Sequence, residues 1–398
     1  MIAHVRKWYN DNFTVEKYNH FLASVSKEVN HNTPFRIAES PFFIPKILKD
    51  RLLEACEINN DVICSANLKQ LTEGALIGND VRVPNEDEHT TFLQMDYGIT
   101  MDEEGQPMPK LIEIQGFPSV YFFQKYISQQ YQKHFDIPSN FSVFFNGMSN
   151  DEYVAMMKRI IIGDTDPSQV VMLEIEPEKQ TTYIDFICTE MDLGLKVLCM
   201  SKVIKHGREL FYLDTQGKEV KILKIYNRII FDELDQRPDL ERAFNFTDDL
   251  DIEWIGHPNW FYRISKYTMP LLSGKYVPQC YYLDQLEKYP ANLEDFVLKP
   301  LYSFAGAGVE LNVTKEMLDS LPNKANYLLQ EKVEYYPVIQ APGEGVKCEV
   351  RMLMVWEKGE ARPKIVNNLV RLSKGAMIGV KYNKDKDWVG GSVGFFEV

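Results

Sequence analysis

The chain has 398 residues, of which 45% are apolar, so it is long enough for two or three domains with buried cores. Its 57 acidic and 44 basic residues give a formal net charge of −13, and no basic block is present that could follow a phosphodiester backbone, which argues against nucleic acid as a partner. No apolar run approaches the roughly 18 to 20 residues that span a bilayer, and the first residues lack a signal-peptide pattern. We therefore expect a cytoplasmic protein without a membrane partner.

The helical pattern comes first along the chain. Residues 1 to about 75 read as helical, because Ile47, Leu48, Leu52, Leu53 and Cys56 recur at the spacing of an amphipathic helix. From Thr90 two short strands are predicted over 90–97 and 110–115, joined by an acidic turn at 102–105. This segment predicts a β-hairpin.

An alternation of helices and strands follows. Residues 151–162 and 181–193 have helical patterns, whereas 169–175 and 195–200 read as strands, which predicts an α/β unit with parallel strands. Beyond residue 258 the predicted elements are a helix near 260–272, a strand at 296–299, a helix at 314–321 and strands at 327–332 and 346–356. Six dispersed cysteines and seven dispersed histidines give no zinc-ligand spacing, so reduced, buried thiols are expected.

A lysine and a loop of small residues form the first candidate site. Lys299 ends a short apolar strand, and Ser303, Gly306 and Gly308 lie in the loop that follows. Backbone N–H groups and an ammonium group placed this way can approach phosphate oxygens. The loop is not a P-loop, since no Gly-Lys-Ser/Thr follows. Alone, the pattern is equally compatible with an ordinary turn.

A second candidate lies at the end of the strand at 327–332. The backbone of Gln330, Glu331, Lys332 and Val333 could pair with an adenine edge, although a strand that simply leaves the core explains the same pattern when it is taken alone. Further along, strand alternation puts Lys347, Glu349 and Arg351 on one face. That face is either a surface ion pair or a polar ligand site.

The hairpin carries a candidate metal site. Glu113 and Gln115 share a strand face about 7 Å apart, with Ile114 directed to the core. Their oxygen atoms could share a hard cation such as Mg²⁺. Two solvated polar residues on a half-buried strand are an equally good explanation.

The α/β unit contains candidate substrate residues. Glu174 to Gln180 follow a strand and open a helix, where exposed N–H groups favour an anion, and an acidic solvated loop is the equal alternative. Arg228 ends another strand and could bind a substrate carboxylate through two hydrogen bonds, or could form a structural salt bridge. A glycine-rich stretch at 388–394 could be a mobile loop over the site or a disordered tail.

Taken together, these residues resemble the ATP-grasp superfamily in the circularly permuted form of eukaryotic-type glutathione synthetases and glutathionylspermidine-synthase-like proteins. The resemblance covers about residues 90–398 and rests on the order of the motifs. In chain order these are Asp96-Tyr97, Glu113-Ile114-Gln115, Lys266, Lys299-Pro300, Gly306, Gly308, Glu331-Lys332-Val333 and Arg371-Leu372-Ser373-Lys374.

Three positions depart from the family pattern. Gln115 stands where the family has an Asn metal ligand, and Ser303 stands where the glycine-rich loop carries a magnesium-binding Glu. The site therefore holds one ion less or recruits Asp96 or Glu349. Gln94 replaces an arginine of the family, which leaves the substrate open.

The resemblance implies an α+β and α/β chain with an ATP-grasp fold, an inserted α/β substrate-binding domain and a helical N-terminal region. Residues 1–89 are expected to form the helical region, and residues 90–150 the metal-binding hairpin and a helix of the ATP-grasp core. Residues 151–257 are expected to form the α/β substrate-binding domain, and residues 258–398 the nucleotide-binding subdomains. A homodimer is compatible with the family.

The implied function is an ATP- and Mg²⁺-dependent ligase that joins a carboxylate to an amine through an acyl phosphate. Lys266 and Lys299 would bind the phosphates, with the loop at Ser303, Gly306 and Gly308, while Gln330 to Val333 would bind adenine. Glu113, Gln115 and Asp96 would hold the metal. The residues expected to act on the acyl phosphate or to bind substrate are Lys299, Arg371, Lys374, Glu174, Gln180, Arg228 and Arg351. A non-catalytic ATP-binding module, which Ser303 favours, and an ATP-grasp small-molecule kinase are the alternatives.

Overall fold

The computed structural model describes residues 1–77, 81–303, 306–375, 378, 383 and 385–398. The helices are α1 (Ala3–Asn12), α2 (Val15–Val29), α3 (Lys46–Ile63), α4 (Leu68–Leu71), α5 (Glu73–Ile77), α6 (Tyr121–Phe135), α7 (Asn150–Ile161), α8 (Tyr183–Leu193), α9 (Phe231–Asp235), α10 (Asn259–Arg263) and α11 (Lys315–Ser320). Within the described ranges, no helix is both long enough and apolar enough to cross a bilayer.

The strands belong to five sheets. In chain order they are β1 (Phe42–Phe43), β2 (Phe92–Met101), β3 (Pro107–Gln115), β4 (Phe141–Ser142), β5 (Val170–Glu174), β6 (Lys196–Cys199), β7 (Ile204–His206), β8 (Glu209–Leu213), β9 (Glu219–Ile222), β10 (Lys224–Asn227), β11 (Glu253–Ile255), β12 (Cys280–Tyr282), β13 (Phe296–Pro300), β14 (Tyr327–Glu331), β15 (Ile339–Gln340), β16 (Gly345–Val355), β17 (Lys364–Ser373), β18 (Gly390–Ser392) and β19 (Gly394–Glu397).

The N-terminal region is largely helical, as predicted, but the helices leave a gap at 30–45, and residues 81–89 of the expected helical part contain no helix. Helix α3 buries Leu48, Leu52 and Cys56 on one face, which confirms the predicted amphipathic helix. The gap contains β1, which pairs in parallel with β19 near the other end of the sequence. Its residues Phe42 and Phe43 are fully buried, because both sides of this short strand face the core.

The central sheet has the order β18-β17-β16-β2-β3. The predicted hairpin is confirmed as β2 and β3, which extend beyond the predicted bounds and pair antiparallel with a register shift between Asp96 and Tyr97. Strand β2 also pairs with β16 in antiparallel register, and Asp96 lies opposite Arg351. The sheet therefore joins residues 92–115 to residues 345–392.

The predicted α/β unit is confirmed. Its sheet has the order β11-β10-β5-β6, and all its strand pairs are parallel. All five residues of β5 are buried, as expected for a parallel strand covered on both faces. The carboxyl ends of β5 and β10 place Glu174 and Arg228 at the same edge of the sheet.

A third sheet, β12-β14-β13, carries the predicted strand at 296–299 and its neighbour. Leu298 and Leu329 pack on Leu318 of α11 in a small separate core. The predicted helix at 260–272 is not continuous. Helix α10 ends at Arg263, and a 3-10 helix covers Lys266–Leu271.

The break between these two helices has a local cause. Ile264 has φ −114° and ψ 89°, outside the helical region, and its carbonyl accepts a hydrogen bond from the Gly116 N–H at 2.8 Å. The Ser265 side chain then caps the second segment by accepting from the Tyr267 N–H at 3.1 Å. The break directs Lys266 toward the end of β3.

The glycine-rich stretch at 388–394 is packed into the protein, which fits neither a disordered tail nor a mobile loop. Residues 390–392 form β18 on the edge of β17. Trp388 is buried, its ring centroid lies 4.6 Å from that of Phe13, and its backbone N–H donates to the Glu39 carboxylate at 2.7 Å.

Candidate functional site

The end of β3 presents two oxygen-bearing side chains to a cleft. Glu113 and Gln115 lie on one face, with the Gln115 amide donating to Glu113 at 2.7 Å, whereas Ile114 is fully buried on the other face. This confirms the predicted alternation. The Glu113 carboxylate lies 3.8 Å from the Lys266 Nζ atom and 3.7 Å from the Arg351 Nη2 atom.

Two lysines face the same strand end from different elements. Lys266 begins the 3-10 helix and donates to the backbone carbonyl of Ser303. Lys299 lies in β13 and donates to the carbonyl of Ile112 at 3.0 Å and to the Gln330 side chain at 2.8 Å. The structure therefore gathers side chains that are separated by almost 200 positions of sequence.

Burial lowers the pKa of Lys299, although Glu113 opposes the shift. The cleft between Glu113, Gln115, Lys266 and Ser303 encloses about 20 Å³. That volume suffices for about one water molecule. Lys266 and Glu113 line this cleft, whereas the Lys299 ammonium group is bonded to the carbonyl of Ile112 and to Gln330 beside it.

The predicted adenine segment lies beside this cleft. The side chain of Gln330 is buried between Lys299 and the carbonyl of Leu111. The N–H groups of Glu331 and Lys332 already donate to backbone carbonyls at 2.8 and 2.7 Å. The Val333 N–H has no backbone acceptor in the described part of the chain. Of the three N–H groups at 331–333, it is therefore the one that could donate to an adenine base.

The predicted phosphate loop follows β13. Gly306 and Gly308 have φ of 72° and 70°, a region that non-glycine residues rarely adopt. A Cβ atom at Gly308 would lie 2.8 Å from Pro300, so a glycine is required on steric grounds as well. Residues 304 and 305 of this predicted loop lie outside the described residues.

Next to the cleft is an acid–arginine cluster formed by Asp96, Glu349, Arg351 and Arg371. Arg351 donates to both oxygens of Asp96, at 2.5 and 2.6 Å, and Arg371 donates to Asp96 at 2.7 Å and to Glu349. Tyr335 donates to the second oxygen of Glu349 at 2.9 Å. All four carboxylate oxygens of the cluster therefore accept hydrogen bonds from the protein.

Burial and charge act in opposite directions in the cluster. Burial would raise the pKa of Asp96, but Arg351 and Arg371 outweigh it and hold that pKa below its ordinary value. Burial raises the pKa of Glu349 although Arg371 opposes the shift. Both arginines keep raised pKa values despite burial, chiefly because of these carboxylates. The cluster is a compensated network in which each charge has a partner.

Lys374, predicted beside Arg371, points elsewhere. Its Nζ atom lies 3.2 Å from Asp387 and 3.8 Å from Glu344. Its described side-chain contacts do not include the acid–arginine cluster. Several residues between 376 and 384, which follow it, lie outside the described part.

A second site lies at the carboxyl ends of the parallel strands. Arg228 is buried, and its Nε and Nη1 atoms have no hydrogen-bond partner in the described part of the chain. Its guanidinium carbon lies 5.1 Å from the ring centroid of Phe117 and 5.4 Å from that of Phe186. Phe117 also lines the Glu113 cleft, so one ring borders both sites.

Glu174 does not supply the missing negative charge. Burial raises its pKa to about 8, although Arg228 opposes the shift, so this carboxyl group is largely protonated at pH 7. Gln180 donates to the carbonyl of Ile175 at 2.9 Å and to Glu233. Open crevices at the carboxyl ends of parallel strands are common ligand sites.

Sequence reasoning missed the contacts of several residues of these sites, including Gln94, which it noted only as a departure from the family pattern. Gln94 accepts from Arg351 at 3.0 Å and donates to the carbonyl of Ser119 at 3.0 Å, so it links the cluster to the loop after β3. Tyr335 and the two phenylalanines beside Arg228 carried no signal in the sequence, because their contacts are made across sheets.

The fold is glutathione-synthetase-like. A solved structure to which the chain is similar is that of a glutathione-synthetase-like effector from Globodera pallida in its apo form, with a TM-score of 0.56, 11% sequence identity and coverage of 91% of this chain and 95% of that one. No protein-family model matches the chain, and no curated protein matches it. At 11% identity the likeness concerns the fold.

The donor set of the cleft sets limits on a bound metal. Glu113 and the amide oxygen of Gln115 are two protein oxygens, which fit one Mg²⁺ ion whose other ligands are phosphates and water. Among the described residues, no group of three His, Cys, Asp or Glu side chains could hold a metal ion. The two lysines fit the phosphates of a nucleotide.

Proposed function

We propose that this chain is an ATP- and Mg²⁺-dependent ligase that joins a carboxylate to an amine. The observation that supports this most is the convergence of Glu113 and Gln115 from β3 with Lys266 and Lys299 from two other elements. A carboxylate, an amide oxygen and an ammonium group that line one cleft, with a second ammonium group bonded to β3 beside it, are the groups that a metal-bound triphosphate requires.

In this proposal each residue at the cleft has a defined task. Lys266 and Lys299 neutralise and orient the phosphates, and the Val333 backbone donates to adenine. Glu113 and Gln115 hold Mg²⁺, which, when bound, spreads the charge of the transferring phosphoryl group. A nucleotide needs several hundred Å³, so ATP binds after the β12-β13-β14 sheet moves away from β3.

The acid substrate is assigned to Arg228. A buried guanidinium between two aromatic rings, with two unused N–H groups, is a receptor for a carboxylate. Glu174 and Gln180 lie at the same strand ends and would contact the polar remainder of that substrate. Phe117 lies between Arg228 and the cleft proposed for the phosphates. A substrate with two acidic or polar ends could therefore bind Arg228 with one end and react at the phosphates with the other.

The proposed reaction has two steps. An oxygen of the substrate carboxylate attacks the γ-phosphorus of ATP, the bond to the β-phosphate oxygen breaks, and ADP and an acyl phosphate result. The amine nitrogen then attacks the acyl carbon, the bond from that carbon to the phosphate oxygen breaks, and the nitrogen loses a proton to give the amide. The protein contributes position, neutralising charge and exclusion of water.

Arg371 and Lys374 are proposed to contact the acyl phosphate or a carboxylate group. In the present conformation Arg371 is paired with Asp96 and Glu349, and Lys374 is paired with Asp387. Either role requires that the residue exchanges one of these partners for the substrate. Arg351 uses its donors on Asp96 and Gln94, so its support for substrate binding is indirect.

The proposal is tested by ATP turnover with Mg²⁺ and pools of amino acids, dipeptides and polyamines. Phosphate release should depend on both an acid and an amine. It should fall at least 100-fold in Glu113→Gln, which loses the negative charge that holds Mg²⁺, and in Lys299→Met, which loses a positive charge at the phosphates. Glu316→Ala and Lys315→Ala, both on the exposed face of α11, are the matched controls and should retain activity.

Two other outcomes would replace the ligase. Binding of ATP without turnover in any pool would favour a non-catalytic ATP-binding module, which Ser303 also supports. A phosphorylated product without an amine, and no amide when amines are present, would identify a small-molecule kinase.

A further inference from the structure

Three carboxylates, Glu113, Asp96 and Glu349, lie beside Arg351 or Arg371, and only Glu113 is not hydrogen-bonded to either arginine. Both oxygens of Asp96 accept hydrogen bonds from Arg351, and one also accepts from Arg371. Glu349 is bound on its two oxygens by Arg371 and Tyr335. To recruit either carboxylate, a metal ion would have to displace a guanidinium group from a buried pair, which is strongly unfavourable.

The loop supplies no replacement. Ser303 carries a hydroxyl group, and its backbone carbonyl is the acceptor for Lys266. The neighbouring residues 304 and 305 are Phe and Ala. Of all the residues outside the described ranges, Asp80 is the one that has a carboxylate side chain. Glu113 is therefore the one carboxylate that the cleft offers to a metal ion within the described part of the chain.

Fixed cations already occupy both sides of Glu113. Lys266 Nζ lies 3.8 Å from one of its oxygens, and Arg351 Nη2 lies 3.7 Å from the other. Arg351 is held there by its two bonds to Asp96 and its bond to Gln94. A second divalent ion in this region would meet these like charges at close range in a partly buried site.

We infer that the nucleotide site takes one divalent ion, held by Glu113 and Gln115, and that Lys266 and Arg351 supply the positive charge of a second one. This inference rests on the proposed function, because it requires a bound nucleotide. Arg351 lies on β16, and its cross-strand partner Asp96 holds its guanidinium group beside Glu113. Arg351 is therefore a positioning residue for the metal-binding carboxylate.

The test counts manganese per protein-bound nucleotide by equilibrium dialysis, with Mn²⁺ and a labelled, non-hydrolysable ATP analogue. The full chain should bind one Mn²⁺ per nucleotide. Ser303→Glu restores a loop carboxylate and should raise the count to two, whereas Ser303→Gln, which has the same size without the charge, should leave it at one. Glu113→Gln should reduce the number of Mn²⁺ ions per nucleotide below one. The bound nucleotide is measured in the same dialysis chambers.

The outcomes separate the inference from the proposed function. Two ions per nucleotide on the unaltered chain, or two ions in the Ser303→Gln variant, would overturn the inference and leave the ATP site intact. Nucleotide binding that is independent of Mn²⁺ would also overturn it. If no nucleotide binds with or without Mn²⁺, both the inference and the proposed function fail.

Discussion

Arg228 is a buried cation whose Nε and Nη1 atoms have no hydrogen-bond partner in the described part of the chain, and this arrangement opposes folding. Glu174, its neighbour at the strand ends, has a pKa raised to about 8 by burial, so it is mostly neutral at pH 7. Asp185, whose charge also acts on Arg228, has its pKa raised by burial. A protein keeps such a group at a cost in stability where binding requires it.

We therefore predict opposite effects of Arg228→Met on stability and on binding. The free energy of unfolding should stay within about 1 kcal/mol or increase, because a neutral side chain of similar length removes an unpaired buried charge. Stabilisation by an added carboxylate should disappear. Thermal unfolding in sodium glutamate, compared with sodium chloride at equal ionic strength, measures both quantities.

Arg228→Lys is the matched control for this prediction. It keeps the charge but loses the planar group that stacks on Phe117 and Phe186, so it should bind glutamate more weakly without gaining stability. A loss of several kcal/mol in Arg228→Met would instead mean that the arginine holds the domain together, which would contradict the assignment of an anion site.

At the level of single residues, sequence reasoning reached the candidates but not their partners. Strand alternation placed Glu113 with Gln115 and Glu349 with Arg351, because a period of two needs only the local sequence. The pairing of Arg351 with Asp96 depends on which strands are neighbours across more than 250 positions, and no local pattern contains that information.

At the level of elements, α6 begins in an unusual way. Val120, the residue before the helix, has φ 57° and offers no side-chain cap. The first N–H groups of α6 instead donate to Asp185 of α8, from Phe122 at 3.0 Å and from Phe123 at 2.9 Å. One helix thus caps another, and the negative charge lies at the positive end of the α6 dipole.

We predict that Asp185→Ala costs about 1 to 3 kcal/mol of unfolding free energy, because it leaves buried N–H groups without an acceptor. Asp185→Asn keeps an acceptor oxygen of the same shape and should cost less than half as much. Urea unfolding followed by circular dichroism measures both variants. Equal losses would show that charge, and not the hydrogen bonds, provides the stabilisation.

The prediction of helices and strands was accurate where the apolar residues recur with a strong period. It failed where contacts with distant parts of the chain determine the local structure. The hairpin, α3 and the parallel strands follow their sequence patterns. Strand β17 was not predicted, because Asn367 and Asn368 interrupt its apolar run, yet both are fully buried and Asn368 bonds to the carbonyls of Val143 and Gly394. The break after α10 depends on Gly116, a residue far away in sequence.

At the level of the whole molecule, strands from both ends of the sequence complete the core. The segment β18–β19 pairs with β17, β1 and β4, and Val393, Phe395 and Phe396 are buried. The central sheet also joins distant segments, since β2 pairs with β16, and this pairing was not predicted from the sequence. The short sheet β1-β19-β4 was not predicted, since two-residue strands have no period to detect.

Deletion of residues 386–398 should therefore cost more than about 5 kcal/mol, because several large apolar side chains leave the core and a typical domain has only about 5 to 15 kcal/mol of stability. We expect loss of the cooperative thermal transition by circular dichroism and binding of a hydrophobic dye. Deletion of Val398 alone, which is 69% exposed, is the control and should shift the transition by only a few degrees. A cooperative transition in the longer deletion would contradict the prediction.

The pairing of β1 with β19 has a consequence for biosynthesis. Ribosomes add about 5 to 20 residues per second, so roughly 20 to 70 s separate the synthesis of Phe43 from that of its partner Phe395. During this interval the nascent chain carries an unpaired pair of phenylalanines and an incomplete core. The cell must keep this segment from other apolar surfaces until residue 395 has been made, so the rate of translation and the supply of chaperones set the yield of native protein.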